Sequence, residues 1–321
     1  MSAASRRLED AAESGGRARL EVPADSAGPA TEIFIAHRSL LFTVAYEMLG
    51  SAADAEDVLQ EAWLRWAGVE LGAVRQHRAY LVRIVTRLSL DRLRTLGRRK
   101  ESYVGPWLPE PLLTTPDVAE DVELAESVSM AMLLVLETLA PTERAVFVLR
   151  EVFALDYGEI AEAVGKTETA VRQTAYRART HVAARRPRRP RGTVSAAQRR
   201  TALQAFQRAV ETGELQGLFD VLAPDVVALS DGGGVRHALL RPVVGAARLM
   251  RLLAGGRWRR GPATTVEPAQ VNGAQGLLVR VDGKIDAVVA IQIDDGLITG
   301  LYGVRNPEKL TRAERQTAIR R

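Results

Sequence analysis

The stretch Leu139–Arg179, LAPTERAVFVLREVFALDYGEIAEAVGKTETAVRQTAYRAR, leaves the chain few alternatives. Pro141 suits the first turn of a helix, where a missing N–H costs nothing. Val146, Phe147, Val152 and Phe153 give that helix an apolar side. Asp156 and Glu159 have capping-box spacing, so a second helix starts at Tyr157. Ile160, Ala161 and Val164 form its inner face, and Gly165 stops it. Thr167 is a good N-cap for a third helix. On that helix Val171, Ala175 and Ala178 face inward, which leaves Thr169, Arg172, Gln173, Tyr176, Arg177 and Thr180 facing out. A short helix, a three-residue turn with glycine and a helix with a polar outer face form the pattern of a DNA-binding helix-turn-helix. Arg and Gln near the start of the third helix can bond base edges in the major groove. Arg177 and Arg179 are better placed for phosphates, which position without specifying. The plainer reading of the same pattern is a helical hairpin with a solvated basic face.

Charge is distributed in support of the first reading. Lys166 to Arg200 carries eleven basic residues and one acid, Glu168, whereas Glu101 to Glu126 carries seven acids and no base. Such asymmetry points to a polyanionic partner for the basic part. The predominance of Arg over Lys fits nucleic-acid contact, and a GC-rich coding genome explains it equally well. Cysteine is absent, which excludes disulfides, cysteine zinc sites and thiol catalysis. No apolar run is long enough for a membrane span, and the first residues lack the apolar core of a secretory signal. The expected location is the cytoplasm.

With 321 residues the chain has room for several domains. Residues 1–29 read as a disordered lead. Residues 30–100 read as a helical domain, with Phe34, Leu41, Ala45 and Met48 as the stripe of its first helix. Ser51 caps the next, where Ala55, Val58, Leu59, Ala62, Trp63 and Trp66 recur at helical spacing. Asp54, Asp57 and Glu61 share another face of it, with Gln60 beside them. A third helix, about Gln76 to Leu96, carries Arg83, Arg87 and Arg94 on one outer stripe. Residues 101–126 form a Pro-rich linker whose WLPEP core (107–111) is too apolar for a spacer, so Trp107 and Leu108 should dock on a neighbour. The helix-turn-helix domain covers 127–184, and 185–194 is a basic, Pro-stiffened hinge. Residues 195–305 begin with helices over Ala196–Thr212 and Glu214–Leu222, then a strand at Val226–Ser230 and a DGGG loop at 231–234. A helix over Val244–Leu253 follows, then strands near 264–271, 276–281, 284–293 and 297–304. Asp282-Gly283 and Asp295-Gly296 are hairpin turns. Helices followed by an antiparallel meander mean an α+β domain. Residues 306–321 hold NPEKL and a polar helical tail.

DAEDVLQEAWLRW, the basic helix after it and the helix-turn-helix together resemble regions 2 and 4 of bacterial extracytoplasmic-function (ECF) sigma factors, members of the sigma-70 family. WLPEP, DGGG and NPEKL resemble the subgroup with a fused SnoaL-like domain, which has the fold of nuclear transport factor 2. The resemblance implies a multidomain chain: two all-α sigma domains and then a cone-shaped α+β domain. It implies that Asp54, Glu56, Asp57, Gln60 and Glu61 bind the β′ clamp helices of core RNA polymerase, whose basic face acids would steer onto. The polymerase β flap and promoter DNA are the other implied partners. Arg83, Arg87 and Arg94 match the helix that opens the −10 element, and Thr169, Arg172, Gln173, Tyr176, Arg177 and Arg179 match the −35 reader. The implied action is binding and strand separation, not catalysis by this chain, and no cofactor.

In this subgroup the fused domain is expected to replace a separate anti-sigma factor. The implied regulatory interface joins Trp107, Leu108 and Pro109 to Asp231, Gly232, Gly233 and Gly234, and to Asn306, Pro307, Lys309 and Leu310. The DGGG loop is expected to touch region 2 or the WLPEP linker, and the SnoaL-like pocket to hold an unknown small ligand. The alternatives are a one-component helix-turn-helix regulator with a ligand-sensing domain, and an enzyme built on the SnoaL-like fold. For the enzyme, the titratable candidates are His237, Asp231, Asp286 and Asp294.

Overall fold

The computed structural model describes residues 28–101, 103–185, 196–255 and 264–320. Residues 1–27 of the expected lead and 186–194 of the expected hinge lie outside the described residues. Helix α1 (Pro29–Leu49) has proline at its first position and ends at Gly50, whose φ of 67° is left-handed. Ser51 Oγ then accepts from Asp54 N at 3.2 Å and starts α2 (Ala52–Ala67). Helix α3 spans His77–Glu101, further than expected. The three pack on Leu41, Ala45, Ala55, Leu59, Trp66, Leu81 and Val85, all nearly or fully buried.

The expected linker is structured. Leu113–Thr114 form strand β1, and Pro116–Glu120, Val122–Ser127 and Met130–Leu136 form helices α4, α5 and α6. The start signals are present in the sequence: Asp121 Oδ1 accepts from Leu124 N, and Ser129 Oγ from Met132 N. Helix α7 (Pro141–Phe147) continues as a π-helical turn over Val148–Val152. Helix α8 (Tyr157–Val164) begins with the expected capping box and ends at left-handed Gly165. Helix α9 is Glu168–Arg185.

Helices α10 (Ala196–Thr212) and α11 (Gln216–Phe219) precede strand β2 (Leu222–Asp231). The expected second helix is short because Val221 and Leu222 already pair with Ile298. Val243–Val244 form β3 against β2, so α12 (Ala246–Ala254) starts later than expected. Strands β4 (Thr264–Val271), β5 (Ala274–Val281), β6 (Lys284–Asp294) and β7 (Leu297–Val304) form the expected meander. Strand β2 runs parallel to β7, which the meander did not foresee. After α13 (Pro307–Leu310) the tail is not a continued helix: Gln316–Thr317, strand β8, pairs with β1. The sheet order is β3-β2-β7-β6-β5-β4-β1-β8, so its far edge is built from the linker and the tail.

Both faces of this sheet are covered. Leu277, Val279, Val289, Ile291 and Leu301 pack against α10–α12. Leu278, Val288, Ala290, Tyr302 and Val304 pack against Leu108, Met130 and Leu310. The tail reaches further, burying Ile319 in the core of α1–α3. Ser39 Oγ and Thr43 Oγ1 on α1 bond the backbone of Ala318 and Arg320.

Candidate functional site

The outward row of α9 lies open. Val171, Ala175 and Ala178 are buried against α7 and α8, while Thr169, Arg172, Gln173, Tyr176, Arg177 and Arg179 are all exposed. Their neighbours hold them without covering them. Arg172 pairs with Glu168 and stacks over the Tyr157 ring at 4.4 Å, and Arg177 and Arg179 lie 3.8 and 3.7 Å from Glu143 and Glu151. These exposed pairs are weak and exchangeable for phosphates.

The basic stripe of α3 lies on an outer face, with Arg87 and Arg94 exposed, yet makes contacts within the chain. Arg83 Nη1 donates to Glu162 Oε2 at 3.3 Å, and Arg87 donates to the carbonyls of Glu162 (2.8 Å) and Ala163 (3.4 Å). The last carbonyls of α8 are orphan acceptors at the negative end of its dipole, so arginines settle there. Arg94 pairs within its own helix with Asp91. In this arrangement the two candidate DNA-contacting units face each other.

Asp54 and Asp57 lie on one face of α2, while Glu56 lies on another. Arg92 on α3 donates to Asp54 at 2.7 Å and to Asp57 at 3.1 Å, and the Asp54 side chain is mostly covered. Glu56 points elsewhere, to Arg38 at 2.6 Å and toward Arg312 of the tail at 3.7 Å. Asp57, Gln60 and Glu61 remain exposed, and Leu64 beside them is 67% exposed. Leu64 escaped the sequence reading, though a leucine out of phase with the buried stripe was its signal.

WLPEP, DGGG and NPEKL converge on one carboxylate. Asp231 is fully buried and accepts four donors: the Tyr103 hydroxyl, Gly233 N at 3.0 Å, Leu108 N at 2.9 Å and Lys309 Nζ at 2.8 Å. Lys309 also bonds the Leu108 carbonyl and lies 4.0 Å from the centre of the Trp107 ring. Asn306 donates to the Tyr103 hydroxyl, caps α13 through Glu308 N and sits against Gly233, where a Cβ would come within 2.5 Å of it. At Gly232 a Cβ would meet the Arg236 carbonyl at 2.1 Å. The loop is therefore a fitted part, not a slack one. Pro109 is buried with Leu108. Burial and the Asp231 carboxylate push the Tyr103 hydroxyl up, so it stays a donor.

Two further groups tie this junction to the helical domains, and the sequence reading missed both. Glu110 Oε2 accepts from Ser51 Oγ (3.2 Å) and Ala53 N (3.1 Å), so the linker caps the start of α2. Asn272, fully buried at the left-handed β4–β5 turn, accepts from Leu112 N and donates to Tyr46 Oη (2.7 Å) and the Val128 carbonyl (2.9 Å). One side chain thus holds the sheet, the linker, α1 and the lead into α6. Its signal was the Asn272-Gly273 dipeptide, which has the same turn chemistry as the two hairpins recognised. Nearby, Glu47 is buried under Ser127 and Arg144, and burial pushes its carboxyl up to about 8.

The titratable candidates for catalysis do not converge. His237 is exposed, with its carbonyl bonded by Arg305, and Arg305 also binds Asp286. Asp294 holds Gln292 and Thr299, and Asp231 belongs to the junction above. The sheet face toward α10–α12 is filled mainly with aliphatic side chains. It leaves a cavity of about 240 Å³ lined by residues such as Phe206, Leu218 and Leu253.

Comparison with known proteins agrees with this geometry. Residues 33–99 match the family described as sigma-70 region 2, and residues 129–182 match sigma-70, region 4. These two matches define a sigma-70-type factor. The ECF RNA polymerase sigma factor SigJ of Mycobacterium tuberculosis is 37% identical over 290 residues, covering 87% of this chain and 92% of that protein. The probable ECF sigma factor SigI of the same species is 33% identical, covering 88% and 95%. The crystal structure of M. tuberculosis SigJ superposes with a TM-score of 0.69 at 35% identity, over 87% of this chain and 98% of that one. The chain belongs to the ECF sigma factors, with an α+β, SnoaL-like C-terminal domain. No helix among the described residues is long and apolar enough to cross a membrane.

Proposed function

We propose that this chain brings core RNA polymerase to its promoters, and that its C-terminal domain holds it closed until a signal releases it. The observation that carries the reading is the exposed row on α9, set on a helix whose opposite side is fully packed. Arg172 and Gln173 read −35 base edges, while Arg177 and Arg179 engage phosphates. Asp57, Gln60, Glu61 and Leu64 meet the polymerase clamp, with Asp54 joining once Arg92 lets go and Glu56 once Arg38 and Arg312 do. Arg83, Arg87 and Arg94 track the −10 strand after α3 parts from α8. Chemistry on the nucleotide belongs to the polymerase. The family relatives are sigma factors, and the separated carboxylates support no acid–base pair.

Restraint in cis follows from who holds whom. Asp231, Lys309, Glu110 and Asn272 fasten the sheet to the linker and to α1, and so fix regions 2 and 4 with the α3–α8 contact shut. A chain so fastened has no need of a separate anti-sigma protein. The test is a promoter-panel binding assay with holoenzyme. Arg172→Ala should lose about 1–3 kcal/mol of discrimination at −35. Equal loss on every sequence would make Arg172 a phosphate contact. Asp57→Arg should abolish core binding with the fold intact, and wild-type affinity for core would refute that face.

A further inference from the structure

A cleft of about 890 Å³ separates α4–α6 from the sheet face that carries Val271, Ala290 and Tyr302. It opens on the sheet face whose core includes Leu108 and Met130, and no residue of α2, α3 or α9 lines it. Its size is in the range, roughly 300–1,000 Å³, that takes a small organic molecule. Ala119, Val122, Met130 and Ile293 give it apolar walls, while the charged side chains that line it, Glu123, Arg199 and Arg200, are exposed at its rim and Glu126 is half-buried.

The floor is a built polar cluster. Tyr302 Oη donates to Gln292 Oε1 at 3.2 Å, Gln292 Nε2 donates to Asp294 Oδ2 at 2.9 Å, and the Thr299 hydroxyl donates to the same oxygen. The Tyr302 ring needs Gly300 beneath it, since a Cβ there would stand 2.7 Å from the hydroxyl. Gln270, also lining the cleft, has its Oε1 buried with no partner among the described residues. The Tyr302, Gln292 and Thr299 bonds of the floor all run to internal acceptors, and acceptor capacity is left on Gln270 and Asp294. A buried acceptor without a donor is costly, and a ligand that brings one removes the cost. Burial pushes the Asp294 carboxyl up, which disfavours its charge and suits an uncharged guest.

We propose that this cleft binds an uncharged, largely apolar small molecule whose hydroxyl or amino group donates to Gln270 and Asp294. One wall is the lead into the helix-turn-helix and the other is the sheet, so the guest bridges the two. A matched pair of fluorescent probes tests this on the full chain: 1-pyrenemethanol, which has a donor, and its methyl ether, which has none. The alcohol should bind at one site, and the ether roughly tenfold more weakly, the size of one lost hydrogen bond. Gln270→Leu should erase that difference while raising the melting temperature, because it removes an unpaired buried oxygen. Ala274→Trp, at the half-buried rim, should block both probes. Hydrogen exchange should slow in both 122–132 and 290–294 when the alcohol binds. Equal affinity for the two probes, binding that survives Ala274→Trp, protection on one wall only, or no binding by the folded chain would each overturn the proposal.

Discussion

Asp231 gathers four donors onto one carboxylate with no exposure to water, and its role can be tested by changing a single atom. Asp231→Asn removes the negative charge that faces Lys309 and leaves that ammonium without its carboxylate. Removing one partner of a buried pair costs about 3–5 kcal/mol, so urea denaturation should show a loss of that order. A change within the error of the titration would mean that the pair does not hold the junction. Glu47 supplies a pH dependence of known sign. Its folded pKa, pushed up to about 8 by burial against the opposing help of Ser127 and Arg144, lies above the ordinary carboxylate value. Stability from this group is therefore fully present below about pH 4.5 and is lost as pH rises through about 8. Melting temperatures between pH 5 and 8.5 should fall for the wild type and stay flatter for Glu47→Gln, and parallel curves would refute the assignment.

At the scale of elements, the contact between α3 and α8 is the one that the proposed function requires to open. Glu162→Arg places a third cation beside Arg83 and Arg87, so repulsion should part the helices. Hydrogen exchange in 157–164 should quicken while α1 stays protected, and unchanged exchange would mean that other contacts hold the pair. What the sequence revealed at this scale was local. The capping box at Asp156, the stop at Gly165 and the 3.6-residue period of Val171, Ala175 and Ala178 act within one helix, so they fix α8 and α9 from the chain alone. The junction motifs could be gathered as candidates because their composition did not suit a linker or a loop. The contacts of Arg83 and Arg87 with α8 were not legible, because a basic stripe looks the same whether it faces solvent or the end of another helix. Asn272 was missed because its partners, Leu112, Val128 and Tyr46, lie far away in the chain. Nothing in a local window marks that kind of contact.

For the whole molecule, the boundary drawn near residue 195 separates chain segments but not cores. Strand β1 of the linker and β8 of the tail complete the sheet, and Ile319 is buried with α1–α3. Cutting there would uncover Leu108, Met130 and the edge at Leu113, and the freed helical part should bind an apolar dye that the full chain excludes. Under the proposed function, the same shared cores are what let the C-terminal domain restrain both helical regions. They also make promoter-directed initiation the most direct test of the whole. Core RNA polymerase should be given a genome-wide template library with and without the full chain, and the run-off products mapped. Added chain should produce discrete starts preceded by a shared −35 and −10 pair, in greater yield when Asp231→Asn loosens the junction. No discrete start with either protein would contradict a sigma factor and leave a duplex-binding regulator as the better description.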